Sequence, residues 1–234
     1  PDLALPQLVE SRTRFGDIKC AWEAAYALMM IGGAHWFAGE IPAARVAYGE
    51  SADIFDALNH GSVLASARRG EGLMAALSGD IEYGTAVCHD ALAISEAIGD
   101  RGGSAQALNF LAVIARDSGD LDLVAERHGA ALQYAREVGE LWATCAALDG
   151  IAAVARADGR IVLATQLLAC STAIAERAGF GPPHHERELR KREVAALRAA
   201  MSPREFADAA RRGKGMRVAD AVTEALTFAR DYAG

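Results

Sequence analysis

The chain has 234 residues with 24 Lys+Arg against 31 Asp+Glu, a net charge of −7, and it is 52% hydrophobic but only 6% aromatic. That balance excludes a disordered, charge-dominated polypeptide. Its 52 Ala and 23 Gly stand against 11 Ile and 12 Val, so the strongest helix former dominates, strand formers are scarce, and an all-helical protein is favoured. The longest apolar stretch, Ala24 to Ala34, falls far short of the roughly 20 residues of a membrane span, so no transmembrane helix is expected. Cys20, Cys88, Cys145 and Cys170 are widely separated, with no C-x-x-C pair. This argues against a zinc site or disulfide framework and for a reducing, cytoplasmic location.

In chain order, Pro1 to Pro6 show neither a basic n-region nor an initiator Met, so no signal peptide is expected and the chain reads as cut from a longer one. Leu3, Leu5, Leu8, Val9 and Phe15 resemble the tail of an earlier helix. A repeat then begins. Gly39, Gly79, Gly119 and Gly159 are spaced 40 residues apart, and each precedes a charged and then an aliphatic residue. A second series, Asn59, Gly99, Gly139 and Gly179, falls midway. These residue types readily adopt the left-handed conformation that ends a helix, so the chain is predicted to break every 20 residues. The segments between are helical in pattern. From Ile81 to Ile98, the residues Ile81, Val87, Cys88, Ala91, Leu92, Ile94 and Ile98 share a face that Glu82, Asp90 and Glu96 leave clear.

Aligned on the first Gly series, small residues recur. Gly32, Gly72, Ala112 and Ala152 lie seven before it, Ala44, Gly84, Val124 and Ala164 five after, and Ser51, Ala91, Ala131 and Ser171 twelve after. All but Val124 are small, as close approach of helix backbones requires. This pattern resembles the tetratricopeptide repeats over residues 17–180, with the repeat lengthened to 40; the register that usually holds Tyr carries His35, Ala75, Ala115 and Ala155. The resemblance implies a right-handed α-solenoid of helical hairpins.

After Gly179 the composition changes at Phe180-Gly181-Pro182-Pro183-His184-His185, which ends the repeat register. Three short helices are predicted beyond it: Glu186 to Met201, with Leu189, Val194 and Leu197 on one stripe; a second opened by Ser202 as N-cap and Pro203; and Val218 to Tyr232. The expected division is therefore a repeat region, residues 1–180, and a C-terminal helical cap, residues 181–234. The order Gly-Pro-Pro, amphipathic helix, Phe206-Ala207, basic turn and Ala-rich helix resembles the end of the repeat region in bacterial LuxR-type and STAND-like ATPase transcriptional regulators and their cyclase-linked relatives. That resemblance implies linked ATPase or DNA-binding domains in the full-length protein. The chain itself carries no Gly-x-x-x-x-Gly-Lys-Ser/Thr, so the phosphate-cradling loop is missing from it.

No catalytic constellation stands out. His35, His60, His89 and His128 form no i, i+4 pair, His184-His185 are adjacent, and the cysteines lie among Ala and Leu, so no metal and no cofactor is expected. Arg69-Gly70-Glu71-Gly72 reads as helix-packing glycines and Gly213-Lys214-Gly215 as a turn. Residues 181–234 carry 11 Lys+Arg and 8 Asp+Glu (+3), which leaves 13 and 23 (−10) for residues 1–180. The cluster Arg204, Arg211, Arg212, Lys214 and Arg217 contains Glu205 and Asp208 and no interleaved aromatics, which argues against direct nucleic-acid contact. A binding surface is the favoured reading. Rows along the first helix of each pair hold Met29, Arg69, Asn109 and Asp149, ten before the Gly series, and Trp36, Ala76, Arg116 and Arg156, three before it. We therefore expect Met29, Trp36, Arg69, Asn109, Arg116, Asp149 and Arg156 to line a concave groove for a protein, peptide or small-molecule effector. The alternative expectation is a free-standing adaptor binding peptide segments.

Overall fold

The computed structural model describes residues 4–17, 19–116 and 118–233. Among them the fold is all-α: α1 (Ala4–Asp17), α2 (Ala21–Ala38), α3 (Ile41–Ala57), α4 (Gly61–Leu77), α5 (Ile81–Ala97), α6 (Arg101–Arg116), α7 (Leu121–Val138), α8 (Leu141–Ala157), α9 (Ile161–Ala178), α10 (His184–Ala199), α11 (Pro203–Gly215) and α12 (Val218–Ala233). Leu3, expected at the end of an earlier helix, lies outside the described residues; Leu5, Leu8, Val9 and Phe15 belong to α1, which packs on α2.

Every predicted break adopts the left-handed conformation, with φ between 52° at Asn59 and 96° at Gly79. The hydrogen bonds explain the sharp stop. The Gly39 N–H donates to the Trp36 carbonyl at 3.0 Å, and the Glu40 N–H reaches back to His35 at 2.9 Å, so two otherwise orphaned carbonyls are satisfied before α3 begins. The same pair of bonds forms at Lys19, φ 59°, where the Lys19 N–H donates to Gly16 and the Cys20 N–H to Phe15. Lys19 stands 20 residues before Gly39 and extends the series one step further without a glycine.

The small positions of the repeat are all buried, and glycine geometry shows why. A methyl on Gly84 of α5 would lie 2.5 Å from the Gly72 carbonyl oxygen of α4, and one on Gly72 would lie 2.7 Å from Cys88 Sγ. Gly70 serves a different neighbour: the Tyr48 ring of α3 sits between it and Gly32 of α2, where methyls would come to 2.7 and 2.9 Å. Burial there pushes the Tyr48 hydroxyl up to about 12. One inter-helix bond recurs at repeat spacing: Ser51 Oγ donates to the Ala25 carbonyl at 2.8 Å, and Ser171 Oγ donates to the Cys145 carbonyl at 3.3 Å. Both pairs span 26 residues and lie 120 residues apart.

The chain divides into two compact units, residues 1–114 and 115–234. In the first, α1 to α5 pack in sequence, each on the next; in the second, α7, α8 and α9 do the same, α11 packs on α9, and α12 packs on α7. The composition change near 180 falls inside the second unit. α9 is long and apolar enough to cross a membrane by length and composition, yet more than half of it is buried, with α8 and α11 packed on it.

α11 and α12 begin where the sequence predicts, and α10 begins at His184, two residues before the expected Glu186. Ser202 Oγ accepts from the Glu205 N–H at 3.3 Å while Glu205 accepts from the Ser202 N–H at 2.9 Å, and Pro203 follows the cap. The expected turn at Gly213-Lys214-Gly215 is instead the last turn of α11. Gly213 is buried where α11 crosses α9, and a methyl on it would overlap the backbone of Gln166.

Gly72→Ala is expected to cost about 1–3 kcal/mol because backbone and Cys88 must move apart. Gly181→Ala, facing open space, should stay within about 0.5 kcal/mol. Urea unfolding midpoints of the two variants check both.

Candidate functional site: the inner row of the second unit

The most connected polar cluster lies where α10 crosses α8 and α9. Arg190 projects from α10 onto the row residue Asp149. Its Nε donates to Asp149 Oδ2 at 3.0 Å, Nη2 donates to the same oxygen, and Nη2 and Nη1 donate to Ser171 Oγ at 2.9 Å and Thr172 Oγ1 at 3.0 Å on α9. Further along α8 the polarity reverses. Arg156 is the donor, with Nε and Nη2 bonded to the Glu193 carboxylate of α10 at 2.6 and 3.3 Å. Such two-pronged guanidinium–carboxylate pairs fix direction and register as well as contributing energy. Both pairs are largely shielded, with side-chain exposures of 17% and 27% for Arg190 and Asp149, and 34% and 26% for Arg156 and Glu193.

A small cleft opens beside the first pair, lined by Trp142, Ala146 and Asp149 of α8, Phe180 and Pro182 of the connection, and Glu186 and Arg190 of α10. Burial raises the Asp149 carboxyl above its ordinary value, opposed by Arg190 and the Ser171 hydroxyl. Its Oδ1 is buried with no hydrogen-bond partner among the described residues. Glu186 is pushed up to about 7, first by burial and then by the Asp149 charge, against the pull of Arg190 and Arg116. Burial also pushes the Cys145 thiol up to about 12, as expected of a thiol in apolar surroundings. His128 of α7 lies against Gly150 of α8 and is held neutral, its pKa lowered to about 3 by burial and by Arg116.

Of the row residues expected at a ligand groove, Asp149 and Arg156 are therefore engaged by the chain's own α10, and Arg116 lies close enough to act on Glu186 and His128. The rest belong to the first unit. Trp36 is only 8% exposed, its ring edge-on to Phe110 of α6 at 5.5 Å and to Phe37 at 5.6 Å, and Asn109 is 1% exposed. Both are core residues. Arg69 is part-buried on α4 and donates to Ser66 Oγ at 3.0 Å, and Met29 is part-buried on α2. The α10 residues Glu186, Arg190 and Glu193 are not among the expected site residues. Their signal in the sequence is an Arg and a Glu three apart, of opposite charge to Asp149 and Arg156.

The first unit presents a different surface. On α2, Trp22, Tyr26, Met30 and Phe37 are 37%, 41%, 43% and 36% exposed. Trp22 and Tyr26 stack with ring centroids 5.3 Å apart. Trp22, Tyr26, Met29 and Trp36 stand 120 residues before Trp142, Ala146, Asp149 and Arg156, so the two helices show the same register with different chemistry. Elsewhere, Arg211 and Arg217 of the basic cluster pair with Asp208 and Asp220. Among the described residues no three His, Cys, Asp or Glu side chains converge as a metal site would require.

Together these features define an all-α protein of stacked helical hairpins in which α8 holds α10 through two ion pairs. No protein-family model matches the chain, and no curated protein is significantly similar to it.

Glu186 gives this unit a pH signature. Its folded pKa lies above the ordinary value of 4.5, so its contribution is fully present below pH 4.5 and is lost as pH rises through about 7. Glu186→Gln should flatten the decline in unfolding free energy across that window, read by urea titrations at successive pH values.

Proposed function

We propose that this chain is a non-catalytic interaction module, the protein-binding or effector-sensing repeat region of a bacterial signalling or transcription-regulating ATPase. The observation that carries the interaction reading is the seating of α10 on the row of α8. Asp149 and Arg156 are in register with the positions that line binding faces in hairpin repeats, and they hold a helix through Arg190 and Glu193. In the same register, α2 offers exposed Trp22, Tyr26 and Met30. Large aromatics on a fixed helix give contact area with little loss of side-chain freedom, which is the composition of interface anchors. The regulator part rests on the C-terminal resemblance alone. A free-standing adaptor that binds peptide segments is the second reading, favoured by the same α2 surface.

Affinity capture followed by cross-linking tests the interaction reading. Trp22→Ala combined with Tyr26→Ala should reduce partner capture at least tenfold, about 1.4 kcal/mol, with the helical circular dichroism retained and the unfolding midpoint lowered, since Trp22 also packs edge-on to buried Phe55. Capture indifferent to α2 and to Arg69 and Arg116 substitutions would contradict it. The reading frame around the chain separates regulator from adaptor: an upstream nucleotide-binding module supports the first, and a frame opening near Pro1 supports the second.

A further inference from the structure

We infer that the α8–α9 face of the second unit is an exchangeable docking site for a partner's helix bearing an arginine with a glutamate three residues on, and that α10 is its resident occupant. The inference rests on the interaction reading above and adds the chemistry of the partner and the means of its entry.

Three observations carry it. First, α10 is held differently from its neighbours. Leu197 is its one side chain buried in the core, whereas α12 buries Ala221, Val222, Ala225, Phe228 and Ala229, and α11 is locked by Gly213 against the Gln166 backbone. The polar grip on α10 is made by Arg190 and Glu193, beside the half-buried Leu189 and Val194, and ion pairs return little of their Coulomb attraction as net stability once desolvation is counted. A competitor that makes the same pairs and carries apolar residues at the places of Leu189, Val194 and Leu197 replaces that grip.

Second, the site selects arginine. Asp149, Ser171 and Thr172 form three acceptors around one guanidinium, engaged through Nε, Nη1 and Nη2. A lysine ammonium is a single point of charge and cannot present that fork. Arg156 then asks for a carboxylate one helical turn further along the guest.

Third, the resident is an imperfect fit. Asp149 Oδ1 is buried and lacks a hydrogen bond among the described residues, so the site has an acceptor that α10 leaves unused. Glu186 adds a second carboxylate beside Asp149. The charged groups acting there are Asp149 of α8, Arg190 of α10 and Arg116 of α6. A guest with an apolar or donor residue in the place of Glu186 avoids that repulsion.

The test uses a fluorescent peptide with the sequence of residues 184–199, added to the full chain and followed by anisotropy. A chain carrying Arg190→Ala and Glu193→Ala should bind it at least tenfold more tightly than the unsubstituted chain, where α10 competes. Binding should fall about tenfold when the peptide carries Arg190→Lys, and it should vanish when the receptor also carries Asp149→Ala. If the peptide binds neither chain, or binds equally with Asp149→Ala, the inference is overturned. A second readout avoids dependence on the substituted chain folding. In isotope-labelled, unsubstituted protein, saturating peptide should speed amide exchange across α10 about tenfold while leaving α12 unchanged, and unchanged α10 exchange overturns the inference. Capture through α2 that persists alongside a negative peptide result leaves the interaction reading standing. A positive peptide result with α2-independent capture removes only that surface from it.

Discussion

The left-handed break every 20 residues is the constraint on which the rest of the molecule depends. Each positive-φ residue ends a helix within a single peptide and lets the next begin two residues later, as at Gly39-Glu40-Ile41. Equal spacing makes the helices equal in length, and equal lengths bring the same register positions into contact from one pair to the next. Small residues then become necessary at those positions. Where Gly72 meets Gly84, the backbones are close enough that a single methyl would strike a carbonyl oxygen. The two serine bonds that recur 120 residues apart, Ser51 to Ala25 and Ser171 to Cys145, are the polar counterpart of the same register.

Once the register is fixed, side chains off the packing positions are free to vary, and here they vary sharply. On α8, Asp149 and Arg156 hold a charged helix. Three repeats earlier, the equivalent face of α2 carries Trp22 and Tyr26, partly exposed and stacked on each other. One scaffold thus displays a polar, directional grip in one unit and an aromatic surface in the other.

The sequence reveals what local chemistry enforces. Gly39, Gly79 and their fellows announce themselves because other residues rarely tolerate their φ. The capping box at Ser202 and Glu205 is equally local, and the small positions are legible because crowding admits few alternatives. Three things escape that logic. Lys19 closes a break without the glycine that marks the others. Gly213-Lys214-Gly215 reads as a turn, yet it completes a helix because α9 packs against it and needs a residue with no side chain there. The charged row was visible, but its partners were not: Arg190 lies 41 residues from Asp149 and Glu193 lies 37 from Arg156. No periodicity specifies which solvent-facing charges a returning helix will cover. Trp36 is buried for a related reason, since Phe110, 74 residues beyond it, meets its ring edge-on.

Native-state hydrogen exchange resolved helix by helix measures most directly whether charge, in place of core burial, holds α10 on its row. In the unsubstituted chain α10 should open in a separate, low-energy step while α8, α9 and α12 exchange together near the global unfolding limit. Protection of α10 equal to that of α9 would contradict the account.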